Sequence, residues 1–524
     1  MTLRKNILTS WVGHVVIMVL GFFMLPFVLG ALGKSAYGVW LFINALAGYS
    51  SLLYMGFGAT VCRYVAKHAH REEWTDLNNV VSAVFGVYCA MAGVVLLASA
   101  GLAAVAPWLD RWGTQSLGEV QLAILLNGVS TAFGMVTSVY GGVLIGTQRI
   151  DLKQSIETGA ALIRFALVFA LLLWRPSLTT LSLIFLAVTI AENALLVYFA
   201  YRQLPTLSVR LSNVRRSVLR DCFGFTVFSA LALIAEHLMY MTDTVVIGLC
   251  LGVEAVVPYA IALRICQMAQ TPLSKIGEAM LPKAGELHAT GKRQELVETT
   301  ERMLGLAFVL ITAAFIGCWF FAPMLVDIWV ARKDPSWTPA DTQTCLAVLS
   351  ILLGAQIVAQ PATVLRKTLL GIGNVRYPAF IDLGAALVNL GLSLAFVFSV
   401  GVVGVAWGTF IPLVLFELFL LTPYANREVG TSWSRLFRHG LLPQLPALAA
   451  LLTYCCVVAS FQPSHGWPQL LSIAAGGGAV LGATWWLTRS RLRRPARRGS
   501  ASNPSSSVAK VPSVGPLTTG SVSP

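Results

Sequence analysis

Folded as a helix, about 20 apolar residues cross the hydrocarbon layer of a bilayer. One such run extends from Trp11 to Leu29. It ends in the stretch Leu29-Gly30-Ala31-Leu32-Gly33-Lys34-Ser35-Ala36-Tyr37-Gly38, and comparable runs recur almost to the end of the chain. The pattern predicts fourteen membrane helices, centred near Met18, Ala47, Ala90, Ser130, Arg164, Thr189, Ile234, Met268, Ile311, Gln356, Asn389, Val414, Leu451 and Ala479. Short segments of alternating polarity, the mark of a membrane β-barrel, do not recur. The expected fold is an all-α polytopic membrane protein of about 14 transmembrane helices.

Composition agrees. The 524 residues are 56% hydrophobic and 11% charged, whereas a soluble domain carries about 25% charged residues. The N-terminal run is too long for a signal peptide and passes through Pro26, so it reads as a retained first span. Most of the 37 Lys and Arg fall in alternate loops on the side of the N-terminus. Lys34, Arg111, Arg175, Arg332 and Lys333 fall on the other side, and Arg164, Arg264 and Lys275 fall within spans. By the positive-inside rule both termini are cytoplasmic. The formal net charge of +14 is then an orientation signal, and it lacks the interleaved aromatic platform of a nucleic-acid surface. The nine cysteines show no metal-ligand spacing and mostly read as small apolar residues.

Gly-Lys-Ser at 33–35 invites comparison with a phosphate-binding loop. That motif needs a Gly at position 28, which is Val28, and a preceding strand, so no nucleotide is expected. An internal repeat explains the stretch better. Leu32-Gly33, Ala36 and Trp40 fall on Leu251-Gly252, Ala255 and Tyr259 at an offset of 219. Ser155–Leu162 falls on Phe380–Leu387, and Leu144-Ile145-Gly146 on Leu369-Leu370-Gly371, at an offset of 225. Spans 1–6 and 7–12 read as two like-oriented copies of one six-helix unit. Lys34 is then a turn residue, not carried over to the second copy, where Gly252-Val253-Glu254 stands. The expected layout is a lobe at 1–201, a basic linker at 202–221, a second lobe at 222–425, two extra helices at 426–488 and a basic disordered tail at 489–524.

The hairpin LGALGKSAYGVW followed by YMGFGATVCRYVAKH (Tyr54 to His68), the run TDTVVIGLCLGVEAVVPYAIALRI (Thr242 to Ile265), the following PLSKIGEAMLPKAGELHATGKRQEL and GVVGVAWGT (Gly401 to Thr409) carry a resemblance. Together they resemble the polysaccharide-transport, O-antigen flippase branch of the multidrug/oligosaccharidyl-lipid/polysaccharide exporter superfamily. Pro258 stands where that family usually has Gly. The resemblance implies two six-helix lobes arranged as a V around a cavity, alternating access, and residence in the bacterial cytoplasmic membrane. It also implies a polyprenyl-pyrophosphate-linked oligosaccharide as cargo, with membrane lipids, a polysaccharide polymerase and other assembly proteins as partners. A drug/cation antiporter of the same superfamily is the alternative. A membrane glycosyltransferase or ligase fits poorly, because the longest loop opposite the termini, near Asp327 to Asp341, is short.

Sugar hydroxyls and pyrophosphate cannot cross hydrocarbon unsatisfied, so ionisable residues within spans are the candidates. Arg164 and its repeat counterpart Asn389, with Arg264 and Lys275 on span 8, are the expected cargo ligands. Arg164 could equally pair with Glu157 or Glu192, and Lys275 with Glu278. Glu236, His237 and Asp243 on span 7, with Glu192, are expected to handle a coupling H+ or Na+, or the span-7 acids instead pair with Arg164 or Arg264 across the cleft; no other cofactor is expected. His14, Asp382 and Glu417 are lesser candidates.

Overall fold

The computed structural model describes residues 2–53, 57–109, 111–210, 238–239, 241–461, 464 and 466–492. Glu236 and His237, most of span 7, much of the basic linker and nearly all of the tail lie outside the described residues. Among the described residues the chain is helical throughout, with turns but no strands.

The helical stretch α1 (Thr2–Gly48) is two helices meeting at Gly33, the first carrying the first predicted span and the second the start of the next. Gly33 has φ +77° and ψ 167°, a conformation in which a Cβ would be strained. Short α2 (Ser50–Leu53) and α3 (Phe57–His70) follow, then α4 (Trp74–Leu109), α5 (Leu117–Gly146), α6 (Ile150–Trp174) and α7 (Leu178–Gln203). The second lobe opens with α8 (Thr242–Leu251), reverses at Gly252 (φ +97°, ψ 162°) and continues as α9 (Val253–Ala289). It goes on through α10 (Arg293–Val326), α11 (Pro339–Gly371), α12 (Arg376–Val400) and α13 (Val402–Phe416), with π turns at Asp327–Ala331 and Glu417–Leu421. Helix α14 (Thr422–Val429), irregular turns, α15 (Leu445–Ser460) and α16 (Trp467–Leu492) complete it.

Eleven of these segments are long and apolar enough to span a membrane. The difference from fourteen is accounted for by Gly33, which leaves two spans in one helical stretch; by span 7, of which only α8 is described; and by α9, whose charges dilute its apolar character.

The repeat is visible in the backbone. Positive φ occurs at Gly33 and Gly252, at Glu72 and Gly291, and at Gln148 and Gly373, each pair separated by 219 or 225 residues. Gly146 sits against Cys62 and Val65, and Gly371 against Leu281 and Ala284, the same contact in each copy.

The lobes join at the end bearing Gly33 and Gly252, here the turn end. The largest hydrophobic core combines Leu29, Phe42 and Trp112 of the first lobe with Val253, Val257 and Trp329 of the second. Toward the opposite, basic end the cores separate: Val61, Val81, Val143 and Ala200 belong to the first lobe alone, and Leu287, Leu296, Leu369 and Val429 to the second alone.

Candidate functional site

Arg264 lies eleven residues into α9, about 16 Å along its axis from the turn end and so near mid-membrane. Its guanidinium reaches across to α1, where a Cβ on Gly21 would stand 2.5 Å from Nη2. The two lobes therefore face each other here, and the missing side chain at residue 21 makes the room. Among the described residues no carboxylate pairs with Arg264. Arg164 lies at similar depth in α6 but is engaged: Nη2 donates to Glu192 Oε2 at 3.2 Å, and the guanidinium lies 5.0 Å from the centre of the Phe185 ring. Its Nε is buried without a hydrogen-bond partner. Lys275 pairs with Glu278 at 2.9 Å on an exposed stretch of α9, one helical turn away. Of the four expected cargo ligands, only Arg264 combines inter-lobe placement with a charge that no acid meets among the described residues.

Asn389 occupies a different place from the one the sequence suggested. It is fully buried within the second lobe, where its Nδ2 donates to Thr409 Oγ1 at 2.8 Å. Thr409 Oγ1 donates in turn to Asp243 Oδ2 at 2.5 Å. The same oxygen accepts from Tyr259 Oη at 2.5 Å, and Asp243 Oδ1 accepts from Ser393 Oγ at 3.2 Å. Asp243 is 1% exposed. Asn389 Oδ1 is buried with no hydrogen-bond partner, and the Val405 carbonyl lies 3.4 Å from Thr409 Oγ1. Gly408 provides the space, since a Cβ there would fall 2.5 Å from Ser393 Oγ. A narrow cavity lined by Met239, Gln270, Gln356 and Leu413 leads to this cluster.

A carboxylate so deeply buried needs a neutralising partner. No Lys, Arg or His among the described residues supplies one to Asp243. Carboxylate, amide, hydroxyl and carbonyl oxygens form a hard donor set, suited to a small hard cation or a proton. The sequence identified Asp243 through its charge. Tyr259, Ser393 and Thr409 gave no signal, because isolated hydroxyls are ordinary within membrane helices.

The remaining span carboxylates follow the repeat. Glu157 and Glu192 in the first lobe correspond to Asp382 and Glu417 in the second, all at the offset of 225. In the second lobe one cation serves both: Arg366 Nη2 lies 2.8 Å from Asp382 and 2.5 Å from Glu417. Arg366 had been assigned to a loop by the sequence, but it lies within α11. Its counterpart is Gly141, and the vacant space is occupied by the end of Lys153, whose Cε is 3.2 Å from where a Cβ on Gly141 would be. Lys153 pairs with Glu157, so Glu157 is not the partner of Arg164. At the basic end, His68, Glu73 and Asp76 converge, and a 2.6 Å hydrogen bond joins His68 Nδ1 to Glu73 Oε2.

Two like lobes joined at one end, a cation between them with no acid partner among the described residues and a buried oxygen cluster in one lobe define a polytopic membrane carrier. The chain belongs to the polysaccharide biosynthesis protein family, which matches residues 3–288; the MatE family matches residues 229–395. The membrane protein EpsK of Bacillus subtilis is 22% identical over 86% of this chain and 88% of its own length. A Shigella flexneri relative named as an O-antigen transporter is 20% identical over 81% of this chain and 98% of its own. The solved structure of the lipid II flippase MurJ in an inward closed conformation superposes with a TM-score of 0.70, covering 94% of this chain and 100% of that one. At 13% identity that likeness concerns the fold. The chain is a membrane transporter of polysaccharide biosynthesis with a MATE-like fold, in a family of carriers rather than catalysts.

Proposed function

We propose that the protein flips a polyprenyl-pyrophosphate-linked oligosaccharide across the bacterial cytoplasmic membrane by alternating access, coupled to Na+ or H+ at Asp243. Arg264 carries the cargo reading. A guanidinium at mid-membrane, between the lobes and without an acid partner among the described residues, offers forked donors to phosphate oxygens. The names of the Shigella and MurJ relatives support the choice of lipid-linked glycan. A cavity for organic cations would instead place acids at this position.

With the termini cytoplasmic, the basic end opens to the cytoplasm, where the two lobes have separate cores. Cargo enters there with its headgroup between the lobes and its lipid tail in the membrane. Cation binding at Asp243, Asn389 and Thr409 neutralises a buried charge and so biases which packing of α8, α12 and α13 is stable. The test is flipping of lipid-linked oligosaccharide in proteoliposomes with imposed Na+ or pH gradients. Arg264→Ala is expected to slow flipping by about tenfold or more, as loss of charge-assisted hydrogen bonds would. Full activity in that variant would rule out the phosphate role. Asp243→Asn is expected to remove the dependence on the ion gradient, and an unchanged dependence would exclude Asp243 as the coupling site.

A further inference from the structure

Two reversals related by the repeat meet at the turn end, and each is joined to the opposite lobe. In the first, Lys34 Nζ of α1 lies 2.6 Å from Asp341 Oδ1 of α11, and a Cβ on Gly30 would fall 2.6 Å from the Lys333 carbonyl. In the second, the Val253 amide donates to the Arg111 carbonyl at 3.1 Å. Between them Gly38 lies so close to the Val253 carbonyl that a Cβ would stand 2.2 Å away. Ser35 and Glu254, equivalent in the repeat, both converge on Gly113. This seam buries Lys34 and Asp341 to 16% and 11% side-chain exposure. Among the described residues theirs is the sole ion pair joining the two lobes.

We propose that this seam is the extracytoplasmic gate of the carrier and that the Lys34–Asp341 pair is its latch. The inference rests on the alternating-access reading and goes beyond it by assigning the gate. An ion pair suits a latch better than an apolar weld. When the lobes part, both charges return to water and regain hydration, so breaking the pair itself costs little, while the shared apolar core beside it supplies the resistance to opening. Trp329 Nε1 also donates across the lobes to the Phe22 carbonyl at 3.1 Å, and the remainder of the contact is backbone and apolar surface close to glycines. Asp341 is held ready by its own helix: Thr338 N and Oγ1 donate to Oδ2, leaving Oδ1 to Lys34. Lys34 has no such second role, so its substitution tests the latch without disturbing the start of α11. Lys34 thus has a function that the failed phosphate-loop comparison did not supply.

The test uses the full chain with its nine cysteines replaced and one cysteine introduced by Met268→Cys, one helical turn from Arg264 on the same face of α9. An impermeant maleimide is added from the extracytoplasmic side of intact cells. Lys34→Glu, which sets two like charges across the seam, is expected to raise the labelling rate about threefold or more, and Lys34→Gln by less. Bridging Lys34→Cys and Asp341→Cys with a bis-methanethiosulfonate, which joins them through two disulfides, is expected to abolish labelling and flipping, and reduction of those disulfides to restore both. Labelling unaffected by Lys34→Glu and by the bridge, in protein that flips its cargo, would overturn the gate. Labelling that responds as expected in protein unable to move lipid-linked oligosaccharide would reject the cargo reading and leave the gate standing.

Discussion

At the scale of single residues, backbone conformation records the duplication more faithfully than side chains do. Three loops need a residue at positive φ, and the second copy places Gly at each: Gly252, Gly291 and Gly373. The first copy has Gly33 but then Glu72 (φ 59°) and Gln148 (φ 61°). A side chain there costs about 1 kcal/mol. Glu72→Gly is therefore expected to stabilise the protein by about 0.5–1 kcal/mol, read as a higher midpoint of thermal unfolding in detergent; a lower midpoint would overturn the strain argument. The same scale separates what could be read in advance from what could not. Gly33 and Gly252 were legible because a turn leaves a short local signature. Asp243 was legible because a charge inside an apolar run stands out. The group that completes its site was not, since Tyr259, Asn389, Ser393 and Thr409 are brought to Asp243 from three other helices, up to 166 residues away.

At the scale of helices, the same close approach holds each lobe together. Cβ atoms added to Gly146 and Gly371 would fall within 2.7 Å and 2.5 Å of the facing helix, whereas Gly159 on α6 has nothing within 4 Å. Gly371→Val and Gly146→Val are expected to destabilise by about 1–3 kcal/mol through overpacking, while Gly159→Ala should be neutral or slightly stabilising; equal effects at all three positions in thermal unfolding would contradict the packing argument. Helix ends were the least legible feature. The hydropathy pattern separated spans 1 and 2, and they are two helices that meet directly at Gly33 with no loop between them. Arg366 was counted as a loop cation because α11 extends past the apolar run, and its partners Asp382 and Glu417 are distant in sequence.

At the scale of the whole molecule, the lobes share one core at the turn end and have separate cores at the basic end. The duplication, the helical class and the family were legible because each rests on periodicity or recurring motifs. The cross-lobe pair of Lys34 and Asp341 was not, for 307 residues separate its members and neither looks unusual alone. The matched acids at 157/382 and 192/417 show what duplication preserved. Each lobe kept a positive charge at the same spot, but one draws it from Arg366 and the other from Lys153 reaching over Gly141. The two lobes thus carry the countercharge on different helices, α6 in the first and α11 in the second. That makes the bearer exchangeable: Lys153→Ala should lower the unfolding midpoint, and adding Gly141→Arg should recover much of the loss, transplanting one half's solution into the other.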